Sequence, residues 1–211
     1  MGGGLGVNHG VMSTEHADAR AAFEGRVRSL RGRRLLEVDY WDVYNYGSDA
    51  VSWDYGDWHH AVMGVQLTSD CGPVTVTWTA TFEPYGVEDF LEPITNHLAI
   101  GEFGPQRVGP DPVSRWDPFL GLPIVDGAIS WDTFTFGPAI RADGEVASPS
   151  YNVDIPTAVR VDFDAGPVWF VAGMPRFPDF ENVLIPGDKI MVVFTAAKMQ
   201  QMGYTDPTVA G

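Results

Sequence analysis

The chain has 211 residues, 45% of them hydrophobic, and sets 28 carboxylates against 13 basic side chains for a formal net charge of −15. That apolar content excludes a wholly disordered chain, and no apolar stretch approaches the length of a membrane-spanning helix. A field this negative repels nucleic-acid phosphates and anionic membrane surfaces, so neither is an expected partner, and it attracts basic proteins.

The charge is unevenly spread. From Thr14 to Arg34 six arginines outnumber three carboxylates. From Leu35 to Gln106 there are twelve carboxylates and no lysine or arginine. The single cysteine, Cys71, allows no internal disulfide, and the glycine-rich start MGGGLGVNHGVM lacks the basic and apolar regions of a secretory signal. The expected setting is the cytoplasm, with flexible tails at 1–13 and 206–211 around a single domain at 14–205.

Thr14 to Ser29 reads as an amphipathic helix. Ala17, Ala21, Phe23, Val27 and Leu30 recur at mostly helical spacing, acidic residues open it, arginines crowd its end and Gly32 stops it. The arginine cluster at 26–34 is expected to complement the helix dipole and nearby carboxylates rather than to bind phosphate.

The rest reads mostly as strands. RLLEVDYWDVYNY (34–46) and HHAVMGVQLTS (59–69) are followed by VTVTWTATFEP (74–84), the cleanest alternation in the chain. There Val74, Val76, Trp78, Ala80 and Phe82 face a core, and Thr75, Thr77, Thr79 and Thr81 face solvent. Residues 84–127 hold seven prolines and form an irregular insert, in which VEDFLEPI (87–94) makes a helical turn or two. Its Phe103, Trp116, Phe119 and Leu120 pack down onto the domain. Strands resume at 128–138, a polar loop covers 142–156, and TAVRVDF (157–163) and VWFVAGMP form a hairpin around a tight turn. KIMVVFTA (189–196) is a central strand covered on both faces, and AAKMQQMGY closes as a short helix stopped by Gly203.

The links at 69–74 and 163–168 are too short for parallel crossovers. The expected fold class is therefore α+β: a mostly antiparallel twisted sheet of about seven strands, the N-terminal amphipathic helix packed on one face, and a short C-terminal helix.

No phosphate loop, dinucleotide fingerprint, nucleophile elbow or zinc spacing occurs, so no cofactor and no metal is expected. The densest stretch is WDYGDWHH (53–60). His59 and His60 are adjacent, so on a strand they point to opposite faces and cannot share one metal. Across 39–58, tyrosines and tryptophans interleave with aspartates. Rings give rigid contact area and carboxylates steer a cationic partner. Asp39, Asp42, Asp49, Trp53, Asp54, Tyr55, Asp57 and Trp58 are the candidate binding residues. The expected function is a non-enzymatic binding protein for a basic protein partner, of which an immunity- or antitoxin-like inhibitor is one version. The alternative is a carbohydrate- or small-ligand-binding domain, extending to a hydrolase that uses Asp54 with Asp57 or Asp39 with Asp42. A structural subunit docking through the proline-rich insert is a third reading.

Overall fold

The computed structural model describes residues 14–43, 53–82, 84–98, 104–111, 114–176, 178 and 180–204. The expected tails, Asp49, Phe103 and the end of the first strand (44–46) lie outside these. In chain order the elements are α1 (Thr14–Ser29), β1 (Leu35–Val43), β2 (Trp53–Asp54), β3 (Trp58–His60), β4 (Gly64–Ser69), β5 (Gly72–Thr79), β6 (Gly86–Phe90), β7 (Pro105–Gly109), β8 (Ile124–Phe136), β9 (Ala139–Ile140), β10 (Val146–Ser148), β11 (Tyr151–Phe163), β12 (Gly166–Ala172), β13 (Met174–Pro175), β14 (Val183–Leu184), β15 (Ile190–Val193) and α2 (Ala196–Gln201).

The molecule is sheet-rich with antiparallel ladders and two helices, but its principal strands form two sheets, not one of about seven strands. One sheet has the order β6-β5-β4-β1-β7 and the other β2-β3-β15-β12-β11-β8. The division occurs inside the apolar run 59–69. Val62 takes φ 61°. Ala61 N donates to Ile190 O in the six-stranded sheet, while Met63 N donates to Trp41 O in the five-stranded one. The run thus supplies β3 to one sheet and β4 to the other.

The sheets share a core: Val38, Val65, Leu67, Val74 and Val76 from one meet Val159, Val161, Val168, Phe170 and Val192 from the other. The helix does not lie on a single sheet face. It packs against β6 and β8, one strand of each sheet, and sends Phe23, Val27 and Leu30 into the shared core. Close approach needs Gly127 on β8, where an added Cβ would sit 2.8 Å from Val27 Cγ1. Gly32 ends the helix at φ +88°.

Several local expectations change for tertiary reasons. VEDFLEPI is not helical: β6 pairs with β5, and only Ile94–Asn96 makes a 3-10 turn. Sheet pairing outweighs the local pattern there. Thr75 and Thr77 are buried, not solvated, because the segment after β6 folds over them. Thr75 Oγ1 donates to Glu92 O at 2.7 Å and Thr77 Oγ1 to Met63 O at 2.8 Å. The insert supplies both edge strands of the five-stranded sheet, and its Trp116 and Phe119 enter the core.

The polar stretch 142–156 is not a loop. It forms β10 and the first part of β11, and together with β8 it makes an arm exposed at every position from 137 to 152. Its polarity is that of a two-stranded ribbon wet on both sides. Cross-strand bonds from Thr133 to Asp154 (2.6 Å) and between Thr135 and Asn152 (2.8 Å) hold it.

As the apolar run at 189–196 implied, β15 is interior and buried at all four positions, with Ile190 and Val192 in the shared core and Met191 and Val193 on the outer face. There they meet Trp58, Trp169 and Met199. Thr195 caps α2, accepting from Lys198 N at 3.3 Å, and Gly203 follows at φ +101°. Among the described residues no helix is long and apolar enough to cross a membrane.

Candidate functional site

The octet 53–60 forms a turn between two short strands at one edge of the six-stranded sheet. Trp53 contributes main chain opposite His60, and Asp54 lies opposite His59. Asp54 Oδ1 accepts from Gly56 N at 2.6 Å, and Gly56 takes φ +79°, a conformation that suits glycine. Asp54 and Asp57 are both exposed at this turn.

Tyr55 stacks on Trp58, ring centroids 4.2 Å apart and 11° from parallel. The outer ring is 40% exposed and the inner one 5%. Trp58 is therefore the floor on which Tyr55 is presented. Lys198 Nζ lies 5.5 Å from the Trp58 ring centroid on its own element, α2, and burial lowers its pKa, with Glu181 and Asp57 acting against that shift.

His59 is buried on the opposite side of β3. Trp116 Nε1 is 2.6 Å from the Tyr40 hydroxyl, and that hydroxyl is 2.7 Å from His59 Nδ1. An indole nitrogen only donates, so the tyrosine oxygen accepts from Trp116 and its hydrogen goes to Nδ1. The remaining ring hydrogen of His59 then sits on Nε2, 3.5 Å from Asp54 Oδ2. Burial lowers the His59 pKa and favours this neutral form. His60 is held neutral by burial and by Lys189, its pKa lowered to about 4.

The remaining candidates are dispersed. Asp39 is buried on β1 and ion-paired with Arg107, which also reaches Glu37 at 3.3 Å. Burial raises the Asp39 pKa, Arg107 lowers it and Glu37 raises it. Asp42 accepts from its neighbour Val43 N at 2.8 Å. Neither Asp39 with Asp42 nor Asp54 with Asp57 lines the groove beside β8 or the smaller cavity beside Thr77 and His97. Among those residues no three His, Cys, Asp or Glu side chains gather as a metal site.

Arginines from outside the cation-free stretch return to its carboxylates in the fold. Arg26 of α1 pairs with Glu88 and Asp89 on β6, Arg107 with Glu37 and Asp39, and Arg115 with Asp57 at 2.9 Å. The sequence alone does not show this. Asp89 is fully buried, and desolvation raises its pKa to about 6 against the lowering effect of Arg26.

Comparison with family models, with curated proteins and with solved structures finds no match for this chain.

Two features escape a linear reading. One is the arm, whose apolar Ile140, Val146 and Tyr151 are 65%, 62% and 49% exposed. The other is a groove along β8, between α1 and the residues that follow α2. The alternation of TFTF with YNVD across the arm is the only sequence signal for the first. The second depends on which strand ends the sheet, and sequence pattern does not specify that order.

Proposed function

We propose that this chain is a non-enzymatic binding protein that engages a basic protein partner through the corner formed by Asp54, Tyr55 and Asp57. The observation that carries the reading is the stacked pair: a half-exposed tyrosine braced on a buried tryptophan, with an exposed carboxylate on either side of it in sequence. A ring already fixed in place loses little side-chain entropy on contact, which is the property of an aromatic anchor. The net charge of −15 gives long-range attraction toward a cationic surface. Arg115 offsets Asp57 in part, so the pull at the corner itself comes chiefly from Asp54. An immunity- or antitoxin-like inhibitor is one form this activity takes.

The test is capture of binding proteins at about 50 mM and 500 mM salt by the native chain and by the double variant Asp54→Asn/Asp57→Asn. The reading expects basic proteins retained at low salt, released at high salt, and lost with the variant. Retention indifferent to salt and to both substitutions contradicts it. The hydrolase form of the alternative draws less support, because neither of its carboxylate pairs lines the groove along β8 or the cavity beside Thr77 and His97.

A further inference from the structure

The six-stranded sheet ends at β8. Ile124 at its start exchanges main-chain bonds with Gly32 and Arg33, and beyond it, among the described residues, β8 has β11 on one side and no strand on the other. A groove of about 830 Å³ follows that free side. Its floor is the continuous run from Asp126 to Asp132. One wall is the stripe Arg20, Glu24 and Arg28 of α1, spaced one helical turn apart; the other is Ile185, Met202 and Tyr204.

In an antiparallel ladder every second residue turns its N–H and C=O away from its neighbour. On β8 those groups face the groove. A sheet edge that is neither paired nor covered is a template for another strand. The side chains of β8 alternate about this edge. Ile129 and Trp131 join the shared core, and Gly127 faces Val27. Asp126, Ala128, Ser130 and Asp132 therefore turn to the other side, toward Ile185, Met202 and Tyr204.

The charge of the groove sets its occupant. On the helix wall Arg20 is paired with Glu24 at 3.1 Å and Asp154 at 3.4 Å, while Arg28, 67% exposed and 3.8 Å from Glu24, extends into solvent. Asp126 and Asp132 are exposed at the two ends of the floor. Asp126 Oδ1 accepts from Gly127 N at 2.9 Å and Asp132 Oδ2 from Thr157 Oγ1 at 2.5 Å, so each carboxylate keeps its charge and one oxygen for a cation. Six residues of strand set them about 20 Å apart. A second copy of this chain would bring two more aspartates and another net charge of −15 to the same place.

We infer that the free edge of β8 receives an extended segment of a basic partner as a seventh strand. A lysine or arginine lies opposite each of Asp126 and Asp132, and apolar side chains between them pack on Ile185 and Met202. Main-chain bonds along the edge supply affinity, and the two terminal charges set register. The inference takes the basic partner from the reading above but not its contact site. The Tyr55 corner belongs to β2 and β3 at the opposite edge of the same sheet, so either can fail alone.

The probes are the peptides acetyl-KTVTVTK-amide and acetyl-ETVTVTE-amide, titrated into the intact chain and read by fluorescence anisotropy and by amide hydrogen exchange. The lysine peptide is expected to bind at least tenfold tighter than the glutamate peptide and to slow exchange across 126–132 at least tenfold. Asp126→Asn/Asp132→Asn is expected to erase the preference for lysine. Ala128→Trp, checked for an unchanged melting temperature, is expected to abolish binding of both peptides. Equal affinity for the two peptides, protection at another edge such as β7, or no protection at millimolar peptide would each overturn the inference. Failure here with salt-dependent capture intact removes the groove and leaves the Tyr55 reading standing.

Discussion

The hydroxyl of Tyr40 lies 2.7 Å from Nδ1 of His59, and the two residues belong to different sheets. With Trp116 donating to the same oxygen, one tyrosine hydroxyl from β1 pairs the indole N–H of the segment before β8 and Nδ1 of the histidine on β3, all three side chains buried. His59 thus acts as a bolt between sheets. A strand bearing Tyr55 on its turn is thereby fixed to the core from beneath.

Tyr40→Phe removes the hydrogen bonds of both Trp116 and His59 while keeping the ring. Leaving buried polar atoms unpaired costs about 1–3 kcal/mol, so denaturant unfolding should show a loss in that range with an unchanged slope. Tyr40→Phe combined with Trp116→Phe should cost less than the sum of the two single losses, since both act on one network.

His60 gives a pH signature. Its folded pKa of about 4 lies below the ordinary value of 6.5, so in between the unfolded chain binds a proton that the folded chain refuses. Stability from this group is full above pH 6.5 and is lost as pH falls toward 4, by up to about 3 kcal/mol. Subtracting the unfolding free energy of His60→Gln from that of the native chain, at each pH, should give a difference that declines over this window. A pH-independent difference would show that His60 is not held neutral.

Arg26 links α1 to β6 through Glu88, Asp89 and the Asp89 carbonyl, 2.8 Å from Nε. Arg26→Ala strands two largely buried carboxylates and should cost about 3–5 kcal/mol, the range for breaking a buried pair from one side. Asp89 opposes His60 in sign. Its folded pKa of about 6 exceeds the ordinary 3.8, so its contribution is present below pH 3.8 and is lost as pH rises toward 6. Asp89→Asn should abolish that component in a pH series of unfolding measurements.

The arm contributes little to the core, since residues 137–152 are all exposed. Replacing 137–150 by a two-residue Asn-Gly turn should leave unfolding free energy within about 0.5 kcal/mol of the native chain. A larger loss would mean that the arm folds back on the sheets.

Much of the local structure was legible because local chemistry decides it. Thr14, the arginines at the helix end and Gly32 delimit α1 as expected, and Asp164 with Ala165 turn the β11–β12 hairpin. The failures share one cause. Alternation reports that a residue has an inside and an outside, not which sheet lies inside. The turn at Val62 therefore conceals the division into two sheets, and alternation assigns to solvent Thr75 and Thr77, whose hydroxyls bond to Glu92 and Met63. Of the candidate site, the turn was legible: Asp54, Tyr55 and Asp57 stand exposed in the octet, while Trp58 is buried beneath Tyr55 and Asp39 is buried against Arg107, which sequence pattern does not reveal. Long-range pairing of arginines with distant carboxylates leaves no mark in a linear count of charge.

The central proposal is most directly tested at Tyr55. Oxidative footprinting of the chain alone and bound to a captured basic protein reads the exposure of that ring residue by residue. The account predicts that Tyr55 is oxidised readily in the free chain and at least several-fold more slowly in the complex, with the protection lost at high salt. Equal oxidation of Tyr55 in the free chain and in a saturated complex would contradict it.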